Sequence, residues 1–147
     1  MPVQIQELAN TIVDFKQVYN KKLATLFSPG GEEDCPLTKS QIMVLMSLCR
    51  KPEQTATELG VSLDMTKASL TGIFDQLEAK GLARREMDSA DRRKSHLVLS
   101  ERGTETAEGL ARRFDAALAR RIAPLSEAER EDLRLHLSGA AAVLGKL

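Results

Sequence analysis

The chain has few of the residues that characterise secreted, metal-binding or membrane proteins. It contains no tryptophan, two cysteines and two histidines in 147 residues, and no apolar run approaches the roughly 20 residues of a membrane span. Cys35 and Cys49 lack the spacing of a metal site or redox pair, and His96 and His136 are isolated, so we expect no metal and no cofactor. The N-terminus has no basic segment followed by an apolar run, which argues against a signal peptide. We expect a reduced, cytoplasmic protein without membrane association.

Motifs of common enzyme classes are also missing. The sequence has no phosphate-binding glycine loop, no nucleophile elbow and no histidine with a recognisable acid–base partner. The formal net charge is zero, which argues against a protein that coats nucleic acid indiscriminately. Because the chain is long enough for one domain and its core, we expect a single domain that is not an enzyme.

Apolar residues recur at three- and four-residue steps through most of the chain, which predicts a mainly helical fold. The first helix is expected from about Val3 to Phe27. Capping boxes, in which a hydroxyl and a Glu or Gln three residues later cap each other's backbone, predict helix starts at Thr38, Thr55 and Ser126. Ser100 is expected to cap a fifth helix.

The order of elements between residues 55 and 100 is the most informative feature. A short helix is followed by a turn at residues 59–62. Ser62 or Asp64 then caps a longer helix, and Gly81 ends it in the left-handed conformation. Such a pair of helices is typical of a helix-turn-helix, whose second helix enters a DNA groove.

A β-hairpin is predicted directly after this pair. Its strands are expected over residues 82–86 and 95–99. Between Lys80 and Lys94 there are six basic and three acidic residues, which makes the hairpin locally basic. Two helices followed by a basic hairpin predict a winged helix-turn-helix that binds DNA.

The longer helix has one large apolar face and one face of small residues. At about 100° per residue, the apolar face consists of Leu70, Ile73, Phe74 and Leu77. The opposite face consists of Met65, Ala68, Gly72 and Asp75, with Ser69 and Thr71 on its flanks. A mid-helix glycine costs about 1 kcal/mol relative to alanine, so Gly72 predicts close approach to a partner such as DNA. The alternative is an ordinary surface helix with a tolerated glycine.

The loop at residues 88–94 is the expected tip of the hairpin. Arg93 is expected to enter an A·T-rich minor groove, where the electrostatic potential is most negative. Asp91 is expected to hold the Arg93 guanidinium through a bidentate pair. Arg92 and Lys94 are expected to contact phosphates. A solvated charged turn is the alternative.

Four motifs follow one another in order between residues 37 and 103. They are Leu37-Thr-Lys-Ser-Gln41, Thr55-x-x-Glu58-Leu59, Leu77-Glu78-x-x-Gly81-Leu82-x-Arg84, and Asp91-x-Arg93-x-x-x-Leu97-x-Leu99-Ser100 running into Gly103. In this order and spacing they resemble the MarR family of bacterial transcriptional regulators. The resemblance covers the whole chain.

The resemblance implies a mainly α fold with a small β-hairpin wing, about six helices and two to three short strands. Residues 1–147 would form a single MarR-type domain. Within it we expect an N-terminal dimerisation helix and loop at 1–36, a winged helix-turn-helix lobe at 37–100 and C-terminal dimerisation helices at 101–147. The apolar stripes of the terminal helices independently favour a homodimer, since one small lobe could not cover them.

The function implied is that of a sequence-specific regulator, a ligand-responsive repressor that binds a pseudopalindromic operator in double-stranded DNA as a homodimer. The recognition helix would be Asp64 to Lys80, and many family members have arginine where Gly72 stands. The expected DNA-binding residues are Thr38, Lys39, Ser40, Thr55, Thr66, Lys67, Ser69, Thr71, Gly72, Arg84, Asp91, Arg92, Arg93 and Lys94.

A small phenolic or anionic effector is also implied by the resemblance. Its expected pocket residues are Phe15, Tyr19, Phe27, Met43 and Met46, for which core packing is the alternative. Two alternatives to the leading function stay open. One is a winged-helix protein-interaction module that does not bind DNA. The other is an oxidant-sensing regulator that uses Cys35, although acidic neighbours should raise the pKa of that thiol and reduce its reactivity.

Overall fold

A computed structural model describes residues 3–27, 37–91 and 93–147, and the predicted mainly helical fold with a small hairpin is confirmed. The described elements are α1 (Ile5–Lys22), a 3-10 turn (Ala24–Phe27), α2 (Lys39–Arg50), α3 (Ala56–Leu63), α4 (Lys67–Ala79), β1 (Ala83–Met87), β2 (Ser95–Leu99), α5 (Glu101–Ile122) and α6 (Glu127–Leu144). Two compact units, Met1–Phe114 and Asp115–Leu147, divide the chain. The boundaries expected at residues 36 and 100 stay predictions.

The first helix is shorter than its apolar pattern predicted. The α-helix ends at Lys22, and residues 24–27 form a 3-10 turn in which the Leu26 N–H donates to the Leu23 carbonyl at 2.9 Å. A tightened last turn of this kind is common at helix ends because it satisfies carbonyls that lack an α-helical partner.

All three predicted capping boxes are confirmed. The backbone N–H of Gln41 donates to the Thr38 hydroxyl at 3.2 Å, and the Gln41 side chain accepts from the Thr38 N–H at 3.0 Å. The same reciprocal bonds cap α3 at Thr55 and α6 at Ser126. Each box satisfies two N–H groups that a helix start would otherwise leave unpaired.

The turn between α3 and α4 lies later than predicted. Helix α3 continues through residues 59–62, and Asp64 leaves it in the left-handed conformation, at φ 52° and ψ 51°. Aspartate tolerates this conformation better than most residues. Thr66 then caps α4 by accepting from the Ser69 N–H at 3.1 Å. The prediction that Ser62 or Asp64 caps α4 was therefore wrong, as was a helix beginning at Asp64.

The core of the first unit lies between α2, α3, α4 and the hairpin. Its largest fully buried side chains are Val44, Leu45, Leu48, Leu59, Leu70, Leu77 and Leu97. The apolar face predicted for α4 is confirmed, since all four of its members are buried. Burying a leucine side chain stabilises a fold by about 1.5–3 kcal/mol, so this face fixes which side of α4 turns outward.

The hairpin pairs β1 and β2 antiparallel, from Ala83 opposite Leu99 to Met87 opposite Ser95. The second strand was predicted correctly, whereas the first begins one residue later than expected. We call this hairpin with its loop, residues 83–99, the wing. Its base is fixed by Gly81, which adopts φ 70°, and by Ser100, whose hydroxyl donates to the Gly81 carbonyl at 2.7 Å.

Helices α1 and α6 carry apolar residues but contain no buried residue. Ile5 exposes 87% of its surface and Val143 exposes 62%. Within the described part of the chain, none of the helices combines the length and the apolar character needed to cross a membrane. Both helices therefore expose large apolar side chains.

Candidate nucleic-acid interface

One side of α4 faces away from the core and is made of short side chains. This outward face consists of Lys67, Ala68, Ser69, Thr71, Gly72 and Asp75, all of them exposed. A Cβ added at Gly72 would have no atom within 4 Å among the described residues. Met65 was predicted to belong to this face, but it precedes the helix and packs partly buried against the core. The face therefore offers open space around the helix backbone.

The hydroxyl groups of the outward face already have partners that determine what they can offer DNA. The Thr71 hydroxyl donates to the Lys67 carbonyl at 2.9 Å, so its oxygen remains free to accept from a base amino group. The Thr66 hydroxyl donates to the Ser69 hydroxyl oxygen at 2.9 Å, which leaves the Ser69 hydroxyl hydrogen available for a phosphate oxygen or base acceptor.

Two further helix starts carry residues predicted to contact DNA. Thr38 and Lys39 are exposed at the start of α2, and Ser40 is half-buried there. Thr55 is half-buried at the start of α3. The capping boxes occupy both threonine oxygens as acceptors, so each hydroxyl can still donate to a phosphate.

The start of α2 is tied to α4 by a buried glutamine. Gln41 is only 3% exposed, and its amide donates to the Gln76 side-chain oxygen at 2.6 Å. The same Gln41 side chain also completes the α2 capping box. One residue therefore caps one helix and fixes its position against the next.

The wing loop is shaped by two aspartates that bind backbone N–H groups. Asp88 accepts from the Ala90 N–H at 2.8 Å, and Asp91 accepts from the Arg93 N–H at 3.0 Å. The bond from Ala90 is the main reason that the pKa of Asp88 lies below its ordinary value. Such aspartate turns hold a loop without a ligand. Arg93 and Lys94 are exposed beside them, while Arg92 lies outside the described residues.

The predicted bidentate pair between the side chains of Asp91 and Arg93 is not formed. Asp91 uses a carboxylate oxygen on the Arg93 backbone instead, because that N–H lies within the reach of a side chain two residues earlier. Among the described residues, no ion pair to the Arg93 guanidinium is found. The Arg93 side chain is exposed.

Comparison with known proteins adds an independent observation. Residues 37–95, which span α2, α3, α4 and most of the wing, match the family model described as the MarR family. Within this segment the chain resembles the MarR family in sequence. The resemblance predicted from the four motifs is therefore confirmed.

A stretch of 70 residues of this chain is 41% identical to the transcriptional regulator HosA of Escherichia coli O157:H7. The match covers 46% of this chain and 50% of HosA, so the chain spans about half the length of the curated relatives it matches.

Solved structures resemble the chain over more of its length. A MarR family protein from Bacillus stearothermophilus superposes with a TM-score of 0.77 at 21% identity, over 93% of this chain and 97% of that one. FabT of Streptococcus pneumoniae, solved in complex with DNA, gives 0.69 at 20% identity, over 97% of this chain and 99% of that one. These likenesses establish the MarR fold.

Strand β1 has two neighbouring arginines with different partners. Arg84 was predicted to bind DNA, and it is exposed with an ion pair to Glu86 at 2.7 Å on the same strand. Arg85 pairs with Asp75 and Glu78 of α4. The hydrogen bond to Asp75 is the main reason that the pKa of Arg85 is raised. Arg84 and Arg85 are therefore both paired with carboxylates. Among the described residues, no ion pair is found for Arg93 or Lys94 at the tip of the wing.

Arg85 was missed as an individual residue by the sequence analysis, which counted it only in the charge of the hairpin. Asp75 and Glu78 stand three residues apart on α4 and so share one side of the helix. That spacing, with an arginine on the following strand, was the available signal. Which of the two arginines faces the helix depends on the register of β1, for which the sequence analysis gave only the approximate bounds of the strand.

The structure describes the side chains of four of the five predicted pocket residues. Phe15 and Tyr19 contact each other on α1 with ring centroids 6.2 Å apart. Met43 and Met46 are half-buried on α2, where Met46 packs against the core. The side chain of Phe27 and the whole of Cys35 lie outside the described residues. Cys49 is a half-buried free thiol.

Proposed function

We propose that this chain is a sequence-specific DNA-binding transcriptional regulator rather than an enzyme. The observation that carries the proposal is the outward face of α4, which presents small polar side chains and an open helix backbone beside the exposed cations of the wing. A helix of this kind fits a major groove, and an arginine at the wing tip fits the adjacent minor groove. The match of residues 37–95 to the MarR family supports the same function.

The proposed contacts divide into two classes. Ser69 and Thr71 supply modest base preference through their hydroxyl groups. Arg93 supplies minor-groove binding, and Lys67 and Lys94 supply phosphate contacts that are independent of sequence. Because α4 has no long basic side chain on its outward face after Lys67, a large share of the affinity falls to the wing.

The test uses DNA selected from a random-sequence pool, since the natural operator is unknown. Arg93→Ala should weaken binding by about 1–3 kcal/mol and reduce discrimination at A·T positions. Arg134→Ala is a matched control, because Arg134 is an exposed arginine of α6 paired with Glu131 at 2.6 Å. Equal affinity and equal salt dependence for Arg93→Ala and the unaltered protein would refute the wing assignment.

The functional unit proposed is a homodimer. The exposed apolar residues of α1 include Ile5, Leu8, Ile12 and Phe15, and α6 exposes Leu137 and Val143. Exposed apolar residues of this kind along a helix usually mark an interface. A two-fold dimer would present two copies of α4 to a pseudopalindromic site, whose half-sites lie about one helical turn apart. Sedimentation equilibrium should give twice the chain mass of 16.2 kDa, and a monomer at micromolar concentration would contradict the dimer.

Repression and release by an effector complete the proposal. We propose a small phenolic or anionic effector that binds near Phe15, Tyr19, Met43 and Met46, where aromatic and polarisable side chains are available. A ligand at 100 times its dissociation constant stabilises the folded state by about 2.7 kcal/mol. A thermal-shift screen with benzoate and hydroxybenzoates should therefore give a clear rise in Tm, and the same compounds should release bound DNA.

Two other functions are separated from this one by direct tests. A protein-interaction module would select no sequence from the random DNA pool. An oxidant sensor that uses Cys35 would lose DNA binding with peroxide, and Cys35→Ser would abolish that response. The exposed cations of the wing tip favour the DNA-binding function over the first alternative.

A further inference from the structure

Arg85 connects the wing to α4 through four groups. Its guanidinium pairs with Asp75 at 2.8 Å and with Glu78, and it lies over the Phe74 ring at 5.6 Å from the centroid. It also donates to the Thr71 backbone carbonyl at 3.5 Å. The carboxylates and the carbonyl belong to residues spaced three or four apart, so they form one line along the flank of α4.

Arg84 provides an internal contrast on the same strand. Successive side chains of a strand point to opposite faces, and Arg84 accordingly pairs with Glu86 of β1 rather than with α4. The Arg84 side chain is 62% exposed, whereas that of Arg85 is 33% exposed. The two arginines therefore have the same charge and strand but different partners.

The position of Arg85 has two consequences for a protein that grips DNA with both α4 and the wing. A planar guanidinium with two carboxylate partners fixes orientation as well as distance. It also neutralises Asp75 and Glu78, whose charges on the flank of α4 would repel nearby phosphates. Both effects act through α4 and the wing rather than through contact with DNA.

We infer that Arg85 is a positioning residue that holds the wing against α4, so that the two elements reach their grooves together. This inference rests on the DNA-binding function proposed above. It predicts that losing Arg85 uncouples the wing from α4, so that Arg93 no longer reaches the minor groove while the phosphate contact of Lys67 on α4 stays in place.

The first experiment needs no DNA. Hydrogen exchange in the free protein should be faster in Arg85→Met at the amides of β1 and β2, with exchange in α2 unchanged. The methionine keeps most of the side-chain volume and removes the charge. Arg84→Met is the matched control and should leave exchange in the wing as it is. Equal protection of the wing in both variants would overturn the inference even if the protein bound no DNA.

The second experiment uses DNA selected from a random-sequence pool. Arg85→Met should bind about tenfold more weakly, which corresponds to ~1.4 kcal/mol, and should lose hydroxyl-radical protection in the flanking minor groove. Methylation protection in the major groove should persist. In an Arg93→Ala background, where the wing-tip contact is already absent, Arg85→Met should leave the slope of log K against log salt unchanged, because a positioning residue releases no counterion. A reduced slope would make Arg85 a phosphate contact and overturn the inference.

A third variant separates geometry from neutralisation. Arg85→Met combined with Asp75→Asn and Glu78→Gln removes the excess negative charge without restoring the bridge. Affinity should recover in part, while minor-groove protection should stay lost. Full recovery of that protection would show that Arg85 acts by neutralisation alone. Failure of the unaltered protein to bind any DNA would refute the proposed function, while the hydrogen-exchange result would still decide the role of Arg85.

Discussion

Replacing Gly72 by alanine should stabilise the protein and weaken its binding to DNA. Gly72 lies in the middle of α4, with Lys67 as the first residue of the helix and Ala79 as the last. It is exposed on the outward face and does not adopt a positive φ. The substitution therefore adds one methyl group at the point where we propose that the helix backbone approaches DNA.

The gain in stability follows from the empty space around this position. Nothing described in the structure lies within 4 Å of the added Cβ, so no steric penalty offsets the difference in helix propensity. That difference is about 0.8–1 kcal/mol in favour of alanine. For a chain of this size, 1 kcal/mol corresponds to a rise in Tm of roughly 2–4 °C.

The binding free energy that Gly72→Ala loses on DNA should be similar in size to the folding stability that it gains. A methyl group between the helix and the groove forces a small displacement, which weakens the hydrogen bonds of Ser69 and Thr71. We expect affinity to fall about tenfold, or ~1.4 kcal/mol, measured by fluorescence anisotropy on a selected DNA site. Thermal unfolding without DNA gives the stability change on the same sample.

Gly139→Ala is the matched control. A Cβ at Gly139 also meets no described atom within 4 Å, and Gly139 lies on α6, which is not among the elements proposed to contact DNA, so sedimentation equilibrium of the variant checks that its oligomeric state is unchanged. Gly139→Ala should raise Tm by a similar amount and leave DNA affinity unchanged. If Gly72→Ala bound DNA as tightly as the unaltered protein, close approach at Gly72 would be wrong. If it lowered Tm, the helix-propensity argument would be wrong.

Two further predictions concern the base and the loop of the wing. Gly103→Ala should destabilise the fold by about 1–3 kcal/mol or more, because the added Cβ would lie 1.8 Å from the Leu82 carbonyl oxygen; urea unfolding measures the loss, and an unchanged midpoint would show that α5 and the hairpin separate easily. A carbon-13 titration should give Asp88 a pKa below the ordinary value of 3.8. The contribution of Asp88 to stability is therefore present above that pH and is lost as the pH falls through the lower folded pKa. Asp88→Asn should flatten the acid limb of the plot of stability against pH, and a pKa at or above the ordinary value would contradict the hydrogen bond from Ala90.

The parts of the fold that sequence predicted well depend on local chemistry. Each capping box, at Thr38, Thr55 and Ser126, consists of two residues three positions apart, so both partners can be identified from the sequence. The left-handed Gly81 is likewise a local signal. The buried face of α4 follows from a strong period of apolar residues. These features require no knowledge of distant contacts.

The parts that sequence predicted poorly depend on competition between neighbours. Ser62, Asp64 and Thr66 are all acceptable caps, and α3 continues through Ser62 to Leu63. Asp91 had two possible hydrogen-bond donors in Arg93, and it accepts from the backbone N–H. Local preference alone does not rank such alternatives.

The role of Arg85 lay beyond sequence patterns for a different reason. Its partners on α4, Asp75 and Glu78, are ten and seven residues away, and the contact depends on the register of β1. A shift of one residue in a strand moves every side chain to the other face. The sequence therefore indicated a basic hairpin, while the three-dimensional fold separates a positioning arginine from the exposed cations at the tip.

Selection of bound sequences from a random DNA pool, followed by footprinting of the enriched site, tests the central proposal most directly. The account predicts an inverted repeat with half-sites about 10–10.5 base pairs apart, major-groove protection within each half-site and minor-groove protection beside it that disappears in Arg93→Ala. A pool that stays unenriched, or binding that is equal for all sequences, would contradict the assignment of this chain as a sequence-specific DNA-binding regulator.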